Sequence, residues 1–158
     1  MIEASHICVA EIDNSLIGFD VQSVRAVYEV TDVLPLPMKL EHVIGVFNRR
    51  GQVLSVVDTL SLCDIERAEA SQKEDSEKGK YITLLHLEGS EGMCCLTMDA
   101  IDEVREIESD LLREPPPSLN SSLKNFCHAV FLDRNNRTIM ILDFDEIFES
   151  LSKTKETK

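Results

Sequence analysis

Nine side chains in the sequence are of types that ligate metals or act as nucleophiles: five cysteines and four histidines. The cysteines are odd in number, lie in apolar runs and form no C-x-x-C pair, which is typical of reduced core thiols. The histidines are spread over separate segments without the local spacing of a zinc or iron site. We therefore expect no metal and no cofactor. The residues are Cys8, Cys63, Cys94, Cys95, Cys127, His6, His42, His86 and His128.

Catalytic motifs are missing as well. The sequence contains no G-x-S-x-G, no G-x-x-x-x-G-K-[ST] and no H-E-x-x-H. The paired carboxylates Asp143 and Asp145 are explained by capping and solvation of a helix that follows them. His42, a lone histidine near a strand, is typical of a structural role. We therefore expect no enzymatic activity, and phosphate label on His42 after incubation with a kinase would contradict this.

Two adjacent cations, Arg49 and Arg50, are the remaining candidates for chemistry. They stand before Gly51 between two apolar runs of strand length, residues 43–47 and 53–57. Because glycine can take a positive φ, this pattern predicts a hairpin whose turn carries both arginines. Exposed charges contribute little to stability, so the pair indicates contact with a partner. The alternative is that Arg50 is an ordinary solvated turn residue.

The overall charge limits the kind of partner. With 29 acidic and 16 basic residues the formal net charge is -13 and the isoelectric point is near 4.6, which disfavours binding to nucleic acid or anionic lipid. The first residues lack the pattern of a signal peptide, and the apolar runs are too short to cross a membrane. We expect a cytosolic protein. Its 158 residues fit one domain, residues 1–152, with a polar tail over residues 153–158.

The pattern of apolar residues predicts mainly strands. Hairpins are expected over residues 6–21, 81–98 and 127–142, and residues 21–30 indicate a helical turn that runs into a strand. Short helices are expected at residues 59–63 after Asp58, at 118–126, and at 144–151 after Asp143. The proline-bearing stretches near residues 33–37 and 112–118 should be extended. The highly charged residues 64–80 are typical of a mobile surface connection.

The two halves of the sequence repeat each other. Residues 21–30 match residues 98–107 without a gap, and Val46-Phe47 corresponds to Val130-Phe131 later in each half. Neither copy is large enough to bury a sheet face alone. The repeat therefore predicts two small β-barrels packed together with a groove between them. The predicted buried residues are Val24, Val46, Phe47, Val56, Val57, Val130, Phe131 and Ile141.

One segment carries the resemblance to a known family. The run from Gly45 to Gly51, GVFNRRG, followed by the strand Val53–Val57 and Asp58, resembles the signature of the CheW-like domain of bacterial chemotaxis coupling proteins. The resemblance extends over nearly the whole chain and is looser in the second half. It implies a mainly β fold of two five-stranded barrels with short helices, and no catalysis. It also implies two partners, the cytoplasmic tip of a methyl-accepting chemotaxis receptor and the regulatory domain of a CheA-type histidine kinase.

The same resemblance implies which residues face the receptor. The family's receptor-binding positions fall on Val24, Gly45, Arg50 and Val104. A receptor tip is a helical hairpin, so a groove lined by the two valines would accept its apolar face while Arg50 pairs at the rim. The alternatives are that the valines belong to the core and that Gly45 only relieves crowding.

The sequence also departs from the family. Arg49 stands where the family usually has leucine, which makes it a possible partner contact, and Ala26 stands at a position that is often acidic. Thr59-Leu60 replaces the usual Leu-Arg, and a glycine common in the last hairpin is absent from residues 127–130. These departures leave two functions open: a full coupling scaffold, or an accessory module that binds only one partner. A structural protein without a signalling role is a third, weaker alternative.

Overall fold

The computed structural model describes residues 4–66 and 81–153, which form ten strands and three α-helices. The strands are β1 Ala4–Ile12, β2 Ser15–Asp20, β3 Val24–Val30, β4 Val43–Arg49, β5 Gln52–Val57, β6 Ile82–Glu88, β7 Met93–Met98, β8 Ala100–Glu108, β9 Cys127–Leu132 and β10 Thr138–Leu142. The helices are α1 Thr59–Cys63, α2 Ser121–Phe126 and α3 Phe144–Ser152. Most of the predicted connection and of the predicted tail, residues 67–80 and 154–158, lies outside the described residues.

The strands form two five-stranded sheets, as expected for a mainly β fold. The first sheet has the order β8-β1-β2-β10-β9 and the second the order β3-β6-β7-β5-β4. The two orders are identical when β1 to β5 are matched with β6 to β10, including one parallel pair in each sheet. The fold therefore contains the internal repeat. Each sheet, however, takes its first hairpin from one half of the chain and its other three strands from the other half.

The sheets are not closed into barrels, and this detail of the prediction is wrong. Each sheet has one strap, an extended segment that crosses an edge strand: residues 33–38 cross β4 and residues 112–117 cross β9. Leu34 and Val46 exchange backbone hydrogen bonds of 3.0 and 2.8 Å, and Arg113 and Val130 exchange two of 2.8 Å. Both straps are rich in proline, which has no N–H to extend a ladder. Each strap therefore adds only one bridge to its sheet.

The buried side chains form three clusters. The largest lies between the two sheets and contains Phe19 and Leu96, together with residues from all three helices. A smaller cluster lies inside each curled sheet, around Ile139 in the first and Leu84 in the second. Of the eight predicted core residues, Val56, Val57 and Ile141 are buried and the other five are only partly buried. Those five lie on β3, β4 and β9, which are the edge strands of their sheets.

The short elements follow the local sequence signals closely. A 3-10 turn at Val21–Ser23 leads into β3, as the mixed pattern predicted. The Asp143 carboxylate caps α3 by accepting hydrogen bonds from the amides of Asp145 and Glu146. Two details differ from the prediction. The side chain of Asp58 makes no capping bond at α1, and α2 begins three residues later than expected, with Asn120 as its cap. No helix in the described ranges is long and apolar enough to span a membrane.

Candidate functional site

The turn between β4 and β5 places both predicted arginines at one end of the second sheet. Arg50 and Gly51 have φ values of +52° and +87°, the left-handed pair that joins two strands through a two-residue turn. The Asn48 side chain fixes this turn by accepting a hydrogen bond of 3.0 Å from the Gly51 amide. Both arginines are exposed. Among the described residues, no carboxylate forms an ion pair with either of them.

Arg49 lies on an aromatic surface. Its guanidinium carbon is 4.8 Å from the centre of the Tyr28 ring, within the range of a cation–π contact. Tyr28 in turn packs against Phe47, with 5.2 Å between the ring centres. Phe47 and Arg49 are two residues apart on β4 and so point to the same face of the strand. The stack of Arg49, Tyr28 and Phe47 thus joins β3 and β4, the two edge strands of the second sheet.

A partly buried polar network adjoins this stack. The Tyr28 hydroxyl is 3.5 Å from His86 Nδ1, and His86 Nε2 is 3.4 Å from the sulfur of Met93. Gln52 also donates to that sulfur, at 3.4 Å. The pKa of His86 lies below its ordinary value, mainly because burial lowers it. The nearby Glu88 carboxylate raises the pKa, and Arg25 lowers it again. A neutral His86 fits its surroundings because it can accept from Tyr28 and donate to Met93.

Gly45 is buried beneath the strap of the second sheet. The carbonyl oxygen of Leu34 and the side chain of Val33 occupy the space that a β-carbon at position 45 would need. The neighbouring residue Val46 makes the only bridge from β4 to this strap within the described chain. The structure therefore shows that Gly45 relieves crowding under the strap. Its contact with a receptor stays a prediction.

The two predicted valines lie on different sheets. Val24 begins β3, pairs with Leu87 and packs against the central core. Val104 is on β8 of the first sheet and is 52% exposed. It lines a cleft of about 760 Å³ between β8 and β9, together with Leu132 and Arg134. Val24 does not line this cleft, so it is not the groove between two valines that the sequence suggested.

The repeat provides an internal comparison for the arginine turn. The second-half equivalent of Arg49 is Asp133, which is buried and accepts hydrogen bonds from the amides of Asn135 and Arg137 and from the Arg137 guanidinium. These bonds, those of Arg137 first, hold the pKa of Asp133 below its ordinary value despite desolvation. Arg105 lies 3.6 Å away on its other side. The charged side chain of the second half, Asp133, is therefore paired inside the protein, whereas that of the first half, Arg49, is exposed.

Large apolar side chains are exposed on the strap and the hairpin near the arginine turn. The most exposed are Leu34 at 62% and Val53 at 60%, and Met38 and Ile44 are also exposed. Exposed apolar side chains beside unpaired cations are typical of a protein-binding surface. We call this surface, which comprises the exposed residues of strap 33–38 and of the β4–β5 hairpin, the hairpin surface. Sequence reasoning found its arginines but missed Tyr28, Leu34 and the network below, because their roles depend on contacts between distant strands.

The structure gives no chemical role to the thiols. All five cysteines are free and buried. Burial raises the pKa of Cys63, Cys94 and Cys95 to about 12, which keeps them protonated and unreactive at neutral pH. Within residues 4–66 and 81–153, no cluster of three or more histidine, cysteine or acidic side chains is arranged to hold a metal ion.

The family follows from the match of the whole domain. A model of the CheW-like domain matches residues 6–152. This chain belongs to the CheW-like domain family. The chemotaxis protein CheW of Treponema pallidum (strain Nichols) is 22% identical over 140 residues, which cover 89% of this chain and 79% of that protein. The chemotaxis protein CheW of Thermotoga maritima is 35% identical over 63 residues, 40% of this chain and 42% of that protein.

The fold agrees with this family. The crystal structure of the scaffolding protein TtCheW from Thermoanaerobacter tengcongensis superimposes with a TM-score of 0.74 at 22% identity, covering 93% of this chain and 94% of that one. As a CheW-like protein, the chain is an adaptor of chemotaxis signalling. The hairpin surface is the strongest candidate in this CheW-like domain for contact with another signalling protein.

Proposed function

We propose that this protein is a non-catalytic, cytoplasmic adaptor that binds both the tip of a methyl-accepting receptor and the regulatory domain of a CheA-type histidine kinase. The observation that carries the proposal is the arginine turn of the hairpin surface, which Asn48 holds by a hydrogen bond from the Gly51 amide. Its two cations are unpaired within the described chain, although the protein has a formal net charge of -13. A fixed cation beside exposed apolar side chains suits a partner that offers both an apolar stripe and an acceptor group.

On the receptor side, Arg50 is the proposed anchor. The φ of +52° at this residue is tolerated because the Asn48 side chain and Gly51 complete the turn, so the Arg50 side chain projects from a fixed backbone. A receptor tip is a helical hairpin, and its apolar stripe would pack on Leu34 and Val53 while a carboxylate or a free carbonyl group accepts from Arg50.

The other residues of the predicted receptor site take different parts in this proposal. Val104 is exposed and would contact a partner directly, in the cleft of the first sheet. Val24 and Gly45 act through packing, Val24 on the central core and Gly45 under the strap. Substitutions at these two positions would therefore weaken binding by moving the hairpin surface rather than by removing a contact.

The alternative function is an accessory module that binds only one partner and so tunes or insulates the pathway. The similarity to CheW proteins over nearly the whole chain does not favour this alternative, although Arg49 stands where the family usually has an apolar leucine. A leucine and an arginine at a contact demand different partner residues.

Binding of the intact protein to each partner tests the proposal. Calorimetric titrations would use a soluble fragment of the cognate receptor tip in one cell and the cognate kinase regulatory domain in another. We expect saturable binding to both. Binding to only one would establish the accessory module, and binding to neither would overturn the proposed function.

A further inference from the structure

Arg49 combines a contact with an aromatic ring and a lack of polar partners. Its guanidinium is held over the Tyr28 ring at 4.8 Å, and no hydrogen bond or ion pair to it is formed by any other described residue. Stacking on an aromatic face uses the face of the guanidinium and leaves its in-plane N–H donors free. Arg49 is also exposed, so it presents unsatisfied N–H donors to the solvent.

The ring beneath Arg49 is itself held in place. Tyr28 packs against Phe47 at 5.2 Å and against the His86 ring at 6.0 Å, and its hydroxyl lies 3.5 Å from His86 Nδ1. In the second sheet Tyr28 pairs with Leu84, a fully buried residue of β6. The stack is thus anchored to the core, and the guanidinium needs little further ordering when a partner binds.

A held guanidinium edge is selective for planar acceptors with two oxygens. An aspartate or glutamate carboxylate accepts two parallel N–H bonds from arginine, which an amide or a single carbonyl group cannot do. The excess of acidic residues on this protein repels an acidic partner elsewhere, so a favourable carboxylate contact is expected at a local cation such as this one.

We propose that Arg49 is a specificity-determining residue that recognises an aspartate or glutamate carboxylate of a docked protein partner, and that Tyr28 is its positioning residue. The inference rests on the proposed function, because it requires a partner on the hairpin surface. The internal repeat supports it. The equivalent residue Asp133 forms ion pairs with Arg137 and Arg105 of its own half. Arg49 has no ion-pair partner among the residues that the structure describes.

The competing explanation is that Arg49 only covers the Tyr28 ring. Four variants separate the two: Arg49→Gln, Arg49→Lys, Tyr28→Phe and Tyr28→Leu. Affinities for the receptor-tip fragment and for the kinase regulatory domain would be measured for each, together with the melting temperature.

If Arg49 binds a partner carboxylate, Arg49→Gln should weaken binding to either the receptor-tip fragment or the kinase regulatory domain by roughly tenfold or more. Arg49→Lys should lose most of the same affinity, because an ammonium keeps the charge but not the planar fork. Tyr28→Phe keeps the ring and should bind within about twofold of the wild type, whereas Tyr28→Leu should lose affinity as Arg49→Gln does. The melting temperatures of both Arg49 variants should stay close to that of the wild type, since exposed charges contribute little to stability.

A charge exchange gives the most specific readout. Each acidic residue on the surface of the affected partner would be changed to lysine in turn and tested against wild-type protein and against Arg49→Glu. One partner variant should bind wild type poorly and regain affinity with Arg49→Glu. A structural role for Arg49 would produce no such rescue.

Failure of the inference can be told apart from failure of the proposed function. If the wild type binds its partners but Arg49→Gln binds both within twofold, the inference is wrong and the adaptor function stands. Loss of affinity that tracks a fall in melting temperature without rescue by any partner lysine would also overturn it, in favour of the covering role. If the wild type binds neither probe, the proposed function itself fails.

Discussion

The backbone carbonyl of Leu34 rests against Gly45, in the space where any other residue would carry its β-carbon. Leu34 also exchanges both of its backbone hydrogen bonds with Val46, the next residue of β4. The strap and the strand that leads to the arginine turn are therefore joined at a point where only glycine fits. This contact accounts for the buried glycine of β4, a strand that ends four residues later at Arg49 of the hairpin surface.

The first prediction follows from this contact. Gly45→Ala should lower the free energy of unfolding by about 1–3 kcal/mol, as overpacking of a tight site does, because the Leu34 carbonyl is backbone and cannot rotate away. It should also increase hydrogen exchange at the amides of Leu34 and Val46. Gly51→Asn is the matched control, since a β-carbon at position 51 meets nothing within 4 Å and asparagine tolerates the positive φ. Equal stability of Gly45→Ala and the wild type would show that the strap is free to move.

A second prediction compares how much the central cluster and the cluster of the first sheet contribute to stability. Phe19 is fully buried in the cluster between the sheets, whereas Phe131 is only partly buried beside the cluster of the first sheet. Phe19→Ala should cost roughly 3–5 kcal/mol of stability, and Phe131→Ala should cost less, because less apolar surface leaves water at that site. Denaturant titration of both variants measures this. The reverse order would contradict the assignment of the central cluster as the main core.

A third prediction concerns pH. Because burial lowers the pKa of His86 in the folded protein, the unfolded chain binds a proton first as the pH falls below the ordinary histidine value of about 6.5. Stability should therefore decrease as the pH falls through that value towards the lowered one. His86→Gln, which stays neutral, should lose less stability than the wild type between pH 7.5 and 5.5. Parallel pH dependence of the two proteins would show that His86 is not held in its neutral form.

Asp133 should have a pH dependence confined to acid. Its hydrogen bonds hold the pKa of the carboxyl below the ordinary value of about 4, so the stability they supply is complete at neutral pH and is lost as the pH falls through that value and then through the lowered one. Asp133→Asn should therefore have a lower melting temperature than the wild type at pH 7, with a smaller difference near pH 2.5. Asp102→Asn, which alters a more exposed partner of Arg105, is the control and should change much less. A difference that does not shrink in acid would contradict a charged role for Asp133.

Local signals in the sequence predict most elements of this fold. The glycine after the two arginines predicted the turn, and Asp143 predicted the start of the last helix, because both depend on backbone geometry within a few residues. The repeat was also visible in the spacing of apolar residues. The exchange of hairpins between the halves was not visible in the sequence. The two copies have the same apolar pattern, so a hairpin that pairs with its own half would bury the same faces as one that pairs with the other half.

In the candidate site, too, local features could be predicted from the sequence and long-range contacts could not. Arg49 and Arg50 could be placed on a turn from sequence, but the ring under Arg49 comes from β3, some twenty residues earlier in the chain. The groove between Val24 and Val104 was expected on the view that each half forms its own barrel. In the structure the two valines lie on edge strands of different sheets, with Val24 packed on the core and Val104 lining a cleft of the first sheet, and a groove lined by both stays a prediction. Such long-range pairings are not encoded in local spacing.

The adaptor account depends most directly on Arg50, the exposed cation of the arginine turn. The decisive measurement is the affinity of Arg50→Glu for the receptor-tip fragment, compared with Lys124→Glu, which makes the same charge change at an exposed position on α2. Both variants should melt close to the wild type. Arg50→Glu should lose about 2 kcal/mol or more of binding free energy, roughly a thirtyfold weakening, while Lys124→Glu binds as the wild type does. Unchanged receptor affinity in folded Arg50→Glu protein would mean that this turn is ordinary solvated surface and that the receptor binds elsewhere.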